Sequence, residues 1–325
     1  MRKKIIGNRT LFDPFIPDHK SLHDLDDVYN LIDWKAVEQL LSPIYNSREG
    51  ALSYPSIVMF RALLLQIWHN LSDCMLEKML GRDLLFKRFS GFSLADQIPD
   101  HSTISRFRAQ LIKHTLYEKL LSEINDQLSK KGAIIKLGEI SVVDATVIEA
   151  HQCRKKAGVN TDNTQDPEAG WNVKKGAKGK TEYTYGFKAH VNADEDGFVK
   201  KVNVTAGNVH DSNQLESLLT KTEDQLYADS AYKSEKTENL CKDNKIEDKT
   251  HFRAYRNTPL TEEQKLQNKL RSSIRYVIEQ VFGGWKKHFG ASKTRYLGIK
   301  RTECWVHLIS IVHNIKKASN ILCQA

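Results

Sequence analysis

At about residue 139 the spacing of apolar residues in this chain changes, and that change does most to limit what it can fold into. Before it, apolar residues recur at three and four positions, the mark of helices that bury one face. Trp34, Val37, Leu40 and Leu41 do so. Ile57, Val58, Phe60, Leu63, Leu64, Ile67 and Trp68 follow Pro55, where a first helical turn tolerates proline. Asp73 is placed to cap a helix through Leu76, Met79 and Leu80 that ends near Gly81. Asp100 or Ser102 is placed to cap another over 101–112, and a further helix is expected over 116–128, stopped near Gly132. After residue 139, β-branched and alternating runs take over. They are Ile140 to Asp144, Thr184 to Asn192, Phe198 to Thr205 and Gln225 to Asp229, with Asp194 to Gly197 as the turn inside the middle pair. Short helices are expected over 212–219 and from Lys233, a fifth strand from Ile246, a long helix from Thr261 and a last helix over 303–321. Strand, hairpin, helix, strand, helix is an α/β layer pattern. The expected organisation is an all-helical N-terminal domain over 1–135 and an α/β domain over 136–325. The stretch 151–182, rich in Gly, Lys and Asn, reads as a long basic loop.

A chain of 325 residues is long enough to bury a core in each of two domains. The net charge of +9 and pI of about 9.1 make nucleic acid the commonest class of partner, with a merely solvated basic surface as the alternative. The five cysteines are odd in number and no pair has C-x-x-C spacing, so neither a zinc site nor a disulfide framework is expected. A reducing cytoplasm fits that usage. The basic N-terminus lacks the apolar stretch of a signal peptide, and the most apolar run, Ala62 to Trp68, is too short to span a bilayer. A cytoplasmic, nucleoid-associated protein that makes no use of a membrane is expected.

Three acids stand out. Asp144 closes one apolar strand and Asp229 another, at the edge where α/β sheets place their chemistry. Each alone reads equally as a cap of the next element. Glu279 lies on a helix whose apolar stripe is Ile274, Val277, Ile278, Val281, Phe282 and Trp285. At about 100° per residue, Arg275, Glu279 and Lys286 fall within about 40° of one another at the border of that stripe. Gly283 and Gly284 interrupt the helix, each at roughly 1 kcal/mol, so it is expected to bend or end before Lys286. Three carboxylates drawn from two strands and a helix suit hard cations such as Mg²⁺, which want oxygen ligands and keep open positions for water and phosphate. Clustered carboxylates repel one another unless a cation sits among them.

Val143-Asp-Ala-Thr-Val-Ile-Glu-Ala150, Tyr227-Ala-Asp-Ser-Ala-Tyr232 and Ser273-Ile-Arg-Tyr-Val-Ile-Glu-Gln-Val-Phe282 followed by Lys286 resemble, in order and spacing, the three acidic motifs of the insertion sequence 5 family of transposases. Further segments are similar as well: Trp68 to Asp73, Pro99 to Phe107, Gly186 to His190 and Asn208 to Ser212. The resemblance implies a ribonuclease-H-like mixed sheet flanked by helices, behind the helical N-terminal domain. It implies Asp144, Asp229 and Glu279 as catalytic metal ligands for Mg²⁺ or Mn²⁺, two ions, in DNA cleavage at the element's ends and strand transfer to target DNA. Arg275 and Lys286, with Lys287 beside it, would contact phosphate. Related transposases carry Tyr three residues before the Arg, where this chain has Ser272.

Thr103 to Leu111 looks like the second helix of a helix-turn-helix, with Arg106, Arg108 and Gln110 able to reach DNA. From Arg271 to Arg301 eight Lys or Arg face one acid, and Tyr276, Trp285, Phe289 and Tyr296 are interleaved, a pattern suited to nucleic acid backbone and stacking contacts. Arg154, Lys155, Lys156, Lys174, Lys175, Lys178 and Lys180 form a second basic cluster. His210 stands open as support for a metal site, while Asp211 or Ser212 is expected to cap the following helix. Two ends must be held together, so a homodimer on terminal inverted repeats is expected. The alternatives are a nuclease on the same fold and a non-catalytic DNA-binding protein.

Overall fold

The computed structural model describes residues 3–8, 10–11, 13–16, 18–44, 52–133, 139–150, 166–175, 181–220, 223–254 and 258–324. Residues 151–165 and 176–180 lie outside these, and with them the expectations for Arg154, Lys155, Lys156, Lys178 and Lys180. The chain forms two compact units, one of Met1–Ile134 with His307–Ala325, the other of Ile135–Val306. The first division falls between residues 134 and 135. The end of the last helix, expected with the α/β domain, groups instead with the helical unit.

In the first unit the helices are α1 (Asp26–Leu31), α2 (Trp34–Leu40), α3 (Ser56–Trp68), α4 (Asp73–Arg82), α5 (Leu84–Ser90), α6 (His101–Lys113) and α7 (Leu116–Lys130). α3 is the central one, since Ile57 through Phe60 and Ala62 through Ile67 are all buried. Such an all-round apolar helix belongs inside a bundle. Asp33 and Asp100 cap α2 and α6 as expected. Ser72 caps α4 in place of Asp73, because the Asp73 carboxylate is engaged by Gln66 and Arg108. α5 was hidden from periodicity by its length of seven residues; Asp83 caps it and Gly91, at φ 96°, ends it.

The second unit holds β1 (Ile140–Glu149), β2 (Gly170–Lys175), β3 (Thr181–Ala193), β4 (Val199–Ala206), α8 (Leu215–Leu218), β5 (Gln225–Ala228), α9 (Glu235–Asp243), β6 (Glu247–Asp248) and α10 (Glu262–His288). The last helix, α11 (Ile299–Gln324), begins here and continues into the first unit. The sheet runs β2-β3-β1-β5-β6, with β4 also on β3. β3 pairs β2 over Thr181 to Gly186 and β4 over Phe187 to Ala193, so these two strands share one edge of β3 end to end. β1 and β3 are antiparallel, while β5 and β6 run parallel to β1. This is a mixed, ribonuclease-H-like sheet flanked by helices. One face, carrying Val143, Leu226 and Ala228, packs on Leu215, Leu218, Tyr232 and Cys241. α10 packs against β1 and β5, burying Ile278, Val281, Phe282 and Trp285.

Three expectations are corrected here. β1 does not end at Asp144; it runs on to Glu149, because Ala145 to Ile148 keep pairing with β3. Part of the expected loop 151–182 is strand β2, whose alternation of Trp171 and Val173 with Asn172 and Lys174 was masked by the Gly and Lys around it. α10 does not end at Gly283-Gly284 but continues to His288, carried by the buried Phe282 and Trp285 on either side.

Candidate active site

Asp144 stands in the middle of β1 and Asp229 directly after β5, the parallel neighbour of β1. Two strands that pair at about 4.8 Å bring such carboxylates to one end of the sheet without help from loops. Arg275 of α10 closes the site. Its Nη2 donates to Asp144 Oδ2 at 3.1 Å, and its Nη1 lies 3.8 Å from Asp229 Oδ1. The Arg275 side chain is only 11% exposed. Burial pushes the Asp144 carboxyl up from its ordinary value; Arg275 and the Ala145 N–H pull it down, and Asp229 pushes it up. A half-desolvated pair of carboxylates needs a cation between them, and here a guanidinium supplies it. Asp229 Oδ1 also accepts from the Ser230 N–H at 2.6 Å, so the capping role holds for Asp229 alongside the pairing with arginine.

Glu279 is one turn beyond Arg275 on α10. It is exposed and makes no hydrogen bond or ion pair among the described residues. Among those residues no three His, Cys, Asp or Glu side chains gather closely enough to hold a metal ion. The structure therefore brings two of the three expected acids together and leaves the third on the neighbouring helix surface. The pair itself fits a hard divalent cation: both donors are carboxylate oxygens, and a positive group is already held between them.

His251, which sequence reasoning passed over, stands beside the pair. His251 Nδ1 lies 4.0 Å from Asp229 Oδ1, its imidazole pKa lowered by burial and by Arg275. Ser272 sits 3.5 Å from His251 Nε2 and donates to Asn268 O. On the other face, Lys188 pairs with Asp211 at 2.9 Å and donates to Val209 O at 2.9 Å. His190, fully buried, bonds Thr205 through Nε2. The segments Gly186 to His190 and Asn208 to Ser212 thus meet, which only strand pairing could reveal. His210, not Asp211 or Ser212, caps the helical turn that follows, accepting from the Ser212 N–H.

The expected DNA contacts divide. Arg106 is exposed, as are Lys286 and Lys287. Arg108 is buried and is a correction: its guanidinium bonds Asp73 at 2.5 Å and Gln66 at 3.1 Å, and so lies inside the helical unit. Although Lys286 is exposed overall, partial desolvation of its ammonium lowers the pKa, as does Lys174, with Glu149 opposing.

Comparison with known proteins decides the family. A family described as "Transposase DDE domain" matches residues 136–315, over half of the chain. The chain belongs to this family of DDE transposases. A second family, "Transposase domain (DUF772)", matches residues 11–110 of the helical part. The transposase for insertion sequence element IS1106 of Neisseria meningitidis serogroup B is 31% identical over 229 residues, 67% of this chain and 78% of the relative. Among solved structures, the piggyBac transposase synaptic complex with hairpin DNA aligns with 94% of this chain and 75% of its own, at 12% identity and a TM-score of 0.44. A pre-cleavage Mos1 transpososome aligns with 94% of this chain and 98% of its own, at 10% identity and a TM-score of 0.21. Membership of a DDE family carries a general dependence on divalent metal. No helix among the described residues of this transposase is long and apolar enough to cross a membrane.

Proposed function

We propose that this transposase binds the terminal inverted repeats of its insertion sequence, cleaves DNA there and joins the freed end to target DNA, with Asp144, Asp229 and Glu279 as metal ligands. Two bound Mg²⁺ or Mn²⁺ ions would activate a nucleophilic oxygen and stabilise the leaving oxygen of a phosphodiester. The observation that carries the reading is that Asp144 and Asp229, from adjacent parallel strands, share the single guanidinium of Arg275. Arg275 neutralises the two aspartates, and its planar fork would suit bidentate binding of a DNA phosphate. Glu279, one turn along the same helix, supplies the third carboxylate from its exposed position. Lys286, Lys287 and Arg106 contact the DNA backbone, and the helical domain over 1–135 reads the ends ahead of a catalytic domain over 136–325. Because two ends must be held together, the working form is a homodimer on DNA, in the nucleoid of a cytoplasm.

The test is a cleavage and joining assay with Mg²⁺ on DNA carrying the element's own flanks, comparing wild type with Glu279→Gln. Nicked ends and joined products in wild type, both absent in the variant, are expected. Cleavage without joining would make this chain a nuclease, and binding without cleavage in either protein would make it a non-catalytic DNA-binding protein.

A further inference from the structure

Three buried polar atoms near the aspartate pair make no hydrogen bond among the described residues: the Tyr232 hydroxyl, Asp211 Oδ1 and His190 Nδ1. Buried polar groups are nearly always satisfied, so a set of unmet ones at a candidate site calls for a cause. The elements that carry them pack together. Two short helical turns, Asp211–Gln214 and Ser230–Tyr232, lie against each other. Asp211 Oδ1 is in turn 3.9 Å from His190 Nδ1 on β3.

The bonding around each atom assigns it as donor or acceptor. Thr205 Oγ1 donates to Ala206 O, so it accepts from the His190 Nε2–H at 2.8 Å. That leaves Nδ1 of the neutral ring as an acceptor. Asp211 Oδ1 is an acceptor as well. Lys188 Nζ lies 2.9 Å from it as a charge partner but directs its hydrogen bond to Val209 O. Burial, and then the charges of Asp144 and Asp211, raise the Tyr232 phenol well above its ordinary value, with Arg275 opposing, so the hydroxyl stays protonated and can donate. Two acceptors without a donor therefore stand near one donor without an acceptor.

Tyr232 also belongs to the turn that presents Asp229. Its N–H donates to Asp229 O at 2.9 Å, and its own carbonyl accepts from the Thr237 hydroxyl at 2.6 Å. Its ring is fully buried in the cluster that holds Val143 and Ala228, the residues directly before Asp144 and Asp229. β5 pairs with β1 only as far as Ala228 and Val143, so the turn starts beside Asp144. A turn tied at both ends passes a shift of the ring on to the backbone of Asp229.

Hydrogen bonds behind metal-binding carboxylates fix their orientation. We infer that Tyr232 is a positioning residue: its hydroxyl donates to Asp211 Oδ1 when the aspartate pair takes up divalent cation, and this bond locks the turn that carries Asp229. Asp211 is the acceptor rather than His190 because a carboxylate makes the stronger, charge-assisted bond and stands on the turn that packs against Tyr232. The inference rests on the proposed function for its cation.

The test titrates the full chain with Mn²⁺ alone, by calorimetry near neutral pH. Tyr232→Phe is expected to bind Mn²⁺ about 10- to 100-fold more weakly, the range for residues that orient metal ligands. Without metal its melting temperature is expected to stay the same or rise, because the lost oxygen has no bond there. Asp211→Ala is expected to weaken Mn²⁺ binding too, and Tyr232→Phe in that background to add less than about two-fold, since one bond links the pair. Unchanged Mn²⁺ affinity in Tyr232→Phe overturns the inference. So does a clearly lower melting temperature without metal, which would show the hydroxyl already bonded, and so do additive losses in the double variant. If Asp211→Ala does not fold, Tyr232→Phe decides alone. Asp144→Asn keeps the two readings apart. Loss of Mn²⁺ binding in Asp144→Asn beside unchanged binding in Tyr232→Phe would leave the proposed function standing and overturn the inference. A wild type that binds no Mn²⁺, or an Asp144→Asn variant that binds it as well as wild type, overturns both.

Discussion

Two positions separate Arg106 from Arg108 on α6, which is about 200° of helical rotation. Arg106 bonds Ser102 and Thr103 of its own helix, lies 3.9 Å from the capping Asp100 carboxylate, and is 72% exposed. Arg108 points inward to Asp73 and Gln66. Arg108→Ala is expected to destabilise the helical unit by about 2–3 kcal/mol, because it strands the Asp73 carboxylate and the Gln66 amide. Arg106→Ala is expected to leave stability within about 0.5 kcal/mol and to reduce the salt dependence of DNA binding by about one unit. Urea unfolding and salt-titrated binding separate them; equal stabilities for the two variants would refute the division. The residue types of the candidate site were legible in sequence because their spacing is a matter of chain order. The inward turn of Arg108 was not, since an arginine at the border of an amphipathic stripe has the same pattern whether it meets an acid or water.

At the scale of elements, β3 and the turn after it carry two buried titratable groups of opposite sense. Burial lowers the His190 pKa, against a raising effect of Asp211. Burial raises the Asp194 carboxyl from 3.8 to about 6, while the Phe198 and Asp196 N–H groups hold it down. The stability that neutral His190 contributes is present above about pH 6.5 and is lost as pH falls, because the unfolded imidazole binds the proton first. The contribution of protonated Asp194 is present below about pH 4 and is lost as pH rises to about 6. The two slopes oppose and flatten the profile of the wild type. Relative to it, His190→Gln should gain stability as pH falls from 7 to 4, and Asp194→Asn as pH rises over that range, each by about 2–3 kcal/mol at most. Urea midpoints at the two ends of the range check this, and offsets independent of pH would show that neither group titrates differently on folding. Strands β3 and β4, the turn between them and α10 were legible from alternation and helical period. β2 was not, because a six-residue strand in a Gly- and Lys-rich stretch gains its place only from its partner.

At the scale of the molecule, the chain returns to its first unit at the end. His307, Leu308, Ile309, Ile311, Val312, Ile315 and Ala318 are buried, and Asn314 donates to Asn125 at 2.7 Å. Cutting the chain after Val306 should therefore expose the core of the helical unit while leaving the sheet unit intact. Limited proteolysis read by mass spectrometry is expected to show α2 to α7 cleaved much faster than in the full chain, with β1, β3, β4 and β5 still protected. Equal protection of both would mean that the helical unit folds without its last helix, as the expected division at 135 has it.

The sequence by itself determined the fold class, the strand–turn–strand pairing of β3 with β4, and the family, since each follows from local period and from the spacing of a few acids along one chain. Only the tertiary structure decided which of those acids meet. Asp144 and Asp229, 85 residues apart, come together because β1 and β5 pair in parallel, and Arg275 joins them because the apolar stripe of α10 faces that sheet. Glu279, on the same helix, remains on its exposed side. Pairing of distant strands and the rotation of a helix on a sheet are set by how whole faces exclude water, and no short window of sequence contains that information.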